Sequence, residues 1–142
     1  MINYPITFRG RAESLPGIKQ NWTVQSEDFQ AECSVPREFE GLGGTFTPED
    51  FFLMAITNCF LATFKVFSEY SKLNFDKLIV ESSLIVDKNE DQMVTMKSAH
   101  LNITLVNVSD QKKANLLVKK TIETGFILKS VKTDITYNVQ LS

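Results

Sequence analysis

An α+β fold with mostly antiparallel sheets is the class this sequence predicts, and three observations carry it. Short runs alternating apolar and polar residues fill the first 35 positions and return after position 75. One apolar stretch, residues 51–64, lacks that alternation and is preceded by a helix start signal. A second helical pattern then lies between a strand pair and a closing strand, so helices and strands do not simply alternate along the chain.

In chain order, Ile6–Gly10, Gln20–Gln25 and Phe29–Val35 read as three strands. Pro16-Gly17 turns the first into the second, and Glu27-Asp28 the second into the third. Phe29, Ala31, Cys33 and Val35 then share one sheet face. Residues 36–46 form a Gly-rich loop. It has neither the Gly-Lys-Ser/Thr nor the GxGxxG spacing that phosphate and dinucleotide sites need, so it reads as a connection.

The helix that follows organises the chain. Thr47 suits the N-cap, Pro48 the first helical position, and Asp50 stands where a capping-box carboxylate reaches back. Phe51 to Phe64 is apolar at almost every position, and no polar face appears before Lys65. The run is too short and too interrupted by Thr and Asn to span a bilayer, so it reads as a helix buried on all sides.

Leu78, Val80, Ser82, Leu84 and Val86 line one face of the next strand, across 75–87. Lys88–Gln92 is a polar turn, and Met93–Val108 returns as the partner with Leu101, Ile103 and Leu105 in step. Ser109 is the N-cap candidate of a second helix, 110–124, striped by Ala114, Leu117, Val118 and Ile122 and stopped by Gly125. Val131–Leu141 closes the chain as a strand. The whole, 1–142, is expected to be one domain. One short second helix cannot enclose the first on every side. A second copy of the chain would, so a homodimer with the long helices near its centre is expected.

Net charge is −2, with a pI near 5.4, which argues against a nucleic-acid or polyanion surface. No basic-then-apolar signal pattern opens the chain, and two cysteines are too few for a disulfide scaffold. A reduced, cytoplasmic setting follows, without membrane or nucleic-acid partners. No cofactor or metal motif is present: the carboxylates lack metal-loop spacing, and the lone His100 has no second histidine to build a site with. It falls on the strand face opposite Ala99, Leu101 and Ile103, which suggests a solvent-facing residue.

Cys59 is the first chemical candidate. A free cysteine in an apolar helix is commonly a small buried hydrophobe, and this one lies three turns from the helix N-terminus, beyond reach of its dipole. A reactive thiolate there needs a cation from elsewhere. Arg9, Arg11 and Arg37 are the only arginines, and Arg37 is in the loop that feeds the helix. Glu49 is explained by the first-turn dipole alone, and ten residues place it about 15 Å from Cys59 along the axis. The two can share a site only if an arginine or a substrate spans them, or a partner subunit brings helices together. Cys33 lies on an apolar strand face and reads as core.

The ordered set Thr47-Pro-Glu-Asp-Phe-Phe-Leu-Met-Ala-Ile-Thr-Asn-Cys-Phe-Leu-Ala-Thr resembles the Pro-Glu helix of the OsmC/Ohr family, the osmotically inducible protein C and organic hydroperoxide resistance proteins. Gly41-Leu-Gly-Gly-Thr-Phe fits its Gly-rich approach, and residues 114–136 look like its second helix and final strand. The resemblance implies an intertwined α+β homodimer with two central helices. It also implies a thiol-dependent peroxidase acting on organic hydroperoxides and recycled by a thiol reductant. Cys59 matches the peroxidatic cysteine and Glu49 the carboxylate that positions an activating arginine, for which Arg37 is the candidate. The chain departs from the family at Gly125, where a second cysteine is expected. Three readings follow: a single-cysteine enzyme reduced by an external thiol, an enzyme resolved by Cys33, or an inactive scaffold that binds a small apolar ligand.

Overall fold

The computed structural model describes residues 2–142. The chain divides into two compact units, one ending at Phe52 and one beginning at Leu53.

The first unit contains an antiparallel sheet of β1 (Arg11–Glu13), β2 (Trp22–Ser26) and β3 (Phe29–Cys33), in that spatial order. Trp22 stands opposite Cys33, and Ser26 opposite Phe29 at the Glu27-Asp28 turn. The strand expected over Ile6–Gly10 does not form; β1 starts at Arg11. Arg11 pairs with Gln25, and β2 ends one residue later at Ser26, so the earlier residues have no ladder to join. Ser26 Oγ instead donates to the Arg9 carbonyl at 3.1 Å, and Phe8 stays 83% exposed.

The Gly-rich loop closes on itself. A 3-10 turn, Arg37–Phe39, is followed by bonds from the Gly41 amide to Pro36 O at 3.0 Å and from the Gly43 amide to Val35 O at 3.3 Å. The Ser34 amide then donates to Phe46 O at 2.9 Å. A Cβ at Gly41 would stand 1.9 Å from Val35 O, so only glycine fits there. The Phe46 and Phe51 rings stack at 5.2 Å and tie the loop to the first turn of the helix it feeds.

That helix is α1 (Pro48–Tyr70). Its start is the expected capping box: the Asp50 amide donates to Thr47 Oγ1 at 3.2 Å, and Asp50 Oδ2 accepts from the Thr47 amide at 3.0 Å. By length and composition α1 could cross a bilayer, but Ile56, Phe60, Phe64 and Ser68 form a buried stripe of core residues. Phe64 meets Phe60 at 5.8 Å and Phe75 at 5.9 Å. Buried Thr57 is satisfied, donating to Leu53 O at 2.8 Å and meeting Ser82 Oγ at 2.7 Å. The helix is not buried on all sides within one protomer. Met54, Ala62 and Val66 are exposed, Val66 by 50%.

The second unit also holds a sheet of β4 (Lys77–Lys88), β5 (Val94–Val106) and β6 (Asp134–Leu141). β4 and β5 form the expected hairpin, with an irregularity between Ile85 and Val86. Ala99, Leu101, Ile103 and Leu105 put the inner face of β5 in the core. β6 runs parallel to β5, so the second sheet is mixed rather than antiparallel throughout. The reason is α2 (Gln111–Thr124), which stands between the two strands and supplies the crossover that a parallel pair requires. Its N-cap is Asp110, not Ser109. Asp110 Oδ1 accepts from the Lys113 amide at 2.9 Å, whereas Ser109 Oγ accepts from the Asn74 amide at 3.0 Å. The buried stripe of α2 is Ala114, Leu117, Val118 and Thr121.

Candidate functional site

Cys59 stands at the midpoint of α1, eleven residues from either end and so away from both ends of the helix dipole, half-buried between Ala55 and Thr63 on its face of the helix. Its Sγ is 3.9 Å from Thr63 Oγ1, one helical turn on, a weak thiol–hydroxyl contact. Thr63 was not a candidate from sequence, although its i+4 spacing from Cys59 signals it.

The sulfur's other neighbour is backbone. Gly125 ends α2, its amide donating to Thr121 O at 2.9 Å, while its own carbonyl accepts from the Lys129 amide at 2.9 Å. The chain thus turns immediately after α2 and buries Gly125. A Cβ there would lie 3.2 Å from Cys59 Sγ, 3.0 Å from Thr121 O and 2.8 Å from Leu128 Cδ1. With φ −55° and ψ 133°, the backbone itself does not demand glycine. What favours glycine is the close approach to Cys59 and Leu128.

Glu49 lies in the first turn of α1, ten residues before Cys59. That spacing is about 15 Å along the axis and about 80° around it, so the helix alone does not join the two side chains. Glu49 Oε2 is buried and has no hydrogen-bond partner among the described residues. An unpartnered buried carboxylate oxygen is costly and calls for a donor.

Arg37, in the first unit like Glu49, does not pair with it: the ion pairs among the described residues are Arg11–Glu13 and Lys97–Asp87. Arg37 Nε donates to Leu42 O at 3.1 Å, and the stem passes so close to the loop that a Cβ at Gly43 would stand 2.8 Å from its Cγ. Gly43 is also in the left-handed region, at φ 61°. Arg37 therefore braces the Gly-rich loop, with its terminal nitrogens on an exposed side chain.

Cys33 is core, as its strand position predicts: it is 2% exposed, and that burial pushes its thiol pKa up. His100 lies on the outer face of β5 as expected, but its ring is engaged. Nδ1 meets Thr136 Oγ1 at 2.6 Å, and Nε2 meets Asn138 Oδ1 at 2.8 Å, both on β6. No cluster of three metal-ligating side chains occurs among the described residues. The first unit carries an open groove of about 540 Å³ whose apolar lining includes Ala12, Val24, Phe29, Ala31 and Phe51.

The family model described as OsmC-like protein matches residues 41–140, from the Gly-rich loop through β6. The chain belongs to the OsmC-like protein family. This OsmC-like protein is 23% identical over 137 residues to YmaD of Bacillus subtilis (strain 168), covering 88% of this chain and 91% of YmaD. Its fold is that of an OsmC-like protein of unknown function from Vibrio cholerae, with a TM-score of 0.84 at 13% identity over 96% of this chain and 100% of that one. An organic hydroperoxide resistance protein OsmC from Legionella pneumophila shares the fold at a TM-score of 0.74 and 18% identity, over 97% of this chain and 99% of that one. The α+β class expected from the order of strands and helices, and the family expected from the Pro-Glu helix, are therefore established, and the family includes proteins named for hydroperoxide resistance.

Proposed function

We propose that this OsmC-like protein is a thiol-dependent peroxidase that reduces organic hydroperoxides through Cys59. The observation that carries the reading is a half-exposed thiol on the Pro-Glu helix of an OsmC-like chain, its sulfur against the turn that follows α2. The Cys59 thiolate attacks the outer oxygen of R–O–O–H, the O–O bond breaks, and the alkoxide leaves to be protonated as the alcohol. Cys59 becomes a sulfenic acid. A guanidinium beside the sulfur would favour the thiolate and neutralise the leaving oxygen. Arg37 is the candidate for that role in this reading: it would exchange its bond to Leu42 O for Glu49, whose buried oxygen needs a donor.

The active form is a homodimer in which residues 1–142 of each chain work as one domain. The exposed apolar Met54, Ala62 and Val66 of α1 support it, because a long helix with an uncovered apolar face calls for a partner. Both cysteines are free, which suits a reducing cytoplasm.

Steady-state consumption of cumene hydroperoxide with a thiol reductant tests the reading. Wild type turns over, prefers cumene hydroperoxide to hydrogen peroxide, and Cys59→Ser does not turn over. Consumption that persists in Cys59→Ser contradicts it. A second reading, a scaffold that binds a small apolar ligand, is favoured by Gly125 standing where the family's second cysteine is expected and by the apolar groove. Saturable binding of an apolar ligand without hydroperoxide turnover selects it.

A further inference from the structure

Position 125 is built like one half of a cross-link without its sulfur. In a disulfide, the Cβ of one residue stands about 3.0 Å from the sulfur of the other, a distance set by bond lengths and angles. The Cβ position at Gly125 lies 3.2 Å from Cys59 Sγ. The fold therefore holds the backbone at bonding range and supplies no thiol there. The chain's other thiol is a poor substitute. Cys33 is buried, and its raised pKa keeps it protonated, whereas attack on a sulfenic acid needs a thiolate. Cys59 itself is a free thiol and half-exposed. Leu128 Cδ1, 2.8 Å from the Cβ position, closes the side toward Gly125.

We infer that Cys59 is regenerated through a mixed disulfide with a small external monothiol. The inference rests on the reading of Cys59 as the peroxide-reducing thiol. The sulfenic acid Cys59–S–OH is attacked by the monothiol R′–S⁻, giving Cys59–S–S–R′ and hydroxide, which takes up a proton as water. A second R′–S⁻ attacks the R′ sulfur, releasing R′–S–S–R′ and the Cys59 thiolate. Two monothiols are oxidised for each hydroperoxide reduced to alcohol and water.

Intact-mass and peptide-mapping spectrometry tests this with cumene hydroperoxide followed by limiting 2-mercaptoethanol. Wild type and Cys33→Ser should each gain one 2-mercaptoethanol adduct per chain, mapped to Cys59. Gly125→Cys should gain none, because hydroperoxide then closes an internal disulfide between Cys59 and the introduced thiol. Gly125→Ala, which adds the Cβ without sulfur, should keep the adduct. A Cys33–Cys59 disulfide in wild type, within or between chains, overturns the inference. So does a dimedone-reactive sulfenic acid on Cys59 that survives the thiol. These two results leave the peroxidase reading intact, whereas a Cys59 that hydroperoxide never oxidises removes both.

Discussion

Cys59 Sγ and Gly125 meet across the junction of two helices: a side chain at Gly125 would begin 3.2 Å from the sulfur. The contact makes the end of α2 part of the sulfur's immediate surroundings. It has a stability consequence apart from any chemistry. Gly125→Ala places a methyl 2.8 Å from Leu128 Cδ1 and 3.0 Å from Thr121 O, so it should lower stability by about 1–3 kcal/mol in denaturant unfolding. Combined with Cys59→Ala, part of the loss should return, with a coupling of about 0.5–1 kcal/mol. Strict additivity would mean the sulfur does not feel position 125.

Gly41 is the stricter case. Its Cβ would fall 1.9 Å from Val35 O, a backbone atom that cannot swing away. Gly41→Ala should cost about 3 kcal/mol or more and loosen the loop between β3 and α1. A variant with wild-type stability in urea would show that this loop is not held as described.

The α1 capping box should behave as a reciprocal pair. Thr47→Ala and Asp50→Ala should each cost about 1 kcal/mol. The double variant should cost clearly less than their sum, because each change already breaks bonds shared by both residues.

The two cysteines should separate by reactivity. Folded protein treated with iodoacetamide near pH 8 should take up one label, on Cys59, and a second only in denaturant, since Cys33 is buried. The pH dependence has a defined sign. Burial raises the folded-state pKa of Cys33 above its ordinary 9.0, so its contribution to stability is complete below that pH. Above it, the unfolded chain ionises first, and the contribution is lost as pH climbs toward the folded value. Wild type should therefore lose more stability than Cys33→Ala on going from pH 8 to pH 10.

The start of α1 was legible because Thr47, Pro48 and Asp50 are local signals whose partners lie within one turn. The β4–β5 hairpin was legible for the same reason, with a polar turn between two alternating runs. The direction of β6 was not, since alternation over Ile135, Tyr137 and Val139 reports which residues face inward and not which neighbour the strand joins. Ile6 and Phe8 alternate like a strand, yet β2 ends before reaching them. Adjacent Ser109 and Asp110 are both good caps, and only the fold sends Ser109 to Asn74. At the site, Cys59 and Glu49 stood out through the order of a family's residues. The meeting of Cys59 with Gly125, the use of Arg37 Nε on Leu42 O, and the unpartnered oxygen of Glu49 depend on tertiary placement that no spacing encodes.

The most direct test of the central claim is the rate at which an organic hydroperoxide oxidises Cys59 in a single turnover, with no reductant present. Reduced protein is mixed with one equivalent of cumene hydroperoxide, and the sulfenic acid is trapped by dimedone and mapped. Rapid oxidation confined to Cys59, at least about tenfold slower in Glu49→Gln and Arg37→Ala, equivalent to about 1.4 kcal/mol of barrier, is the expected result. Oxidation of Cys59 no faster than that of a free thiol in solution, and indifferent to both substitutions, would contradict it.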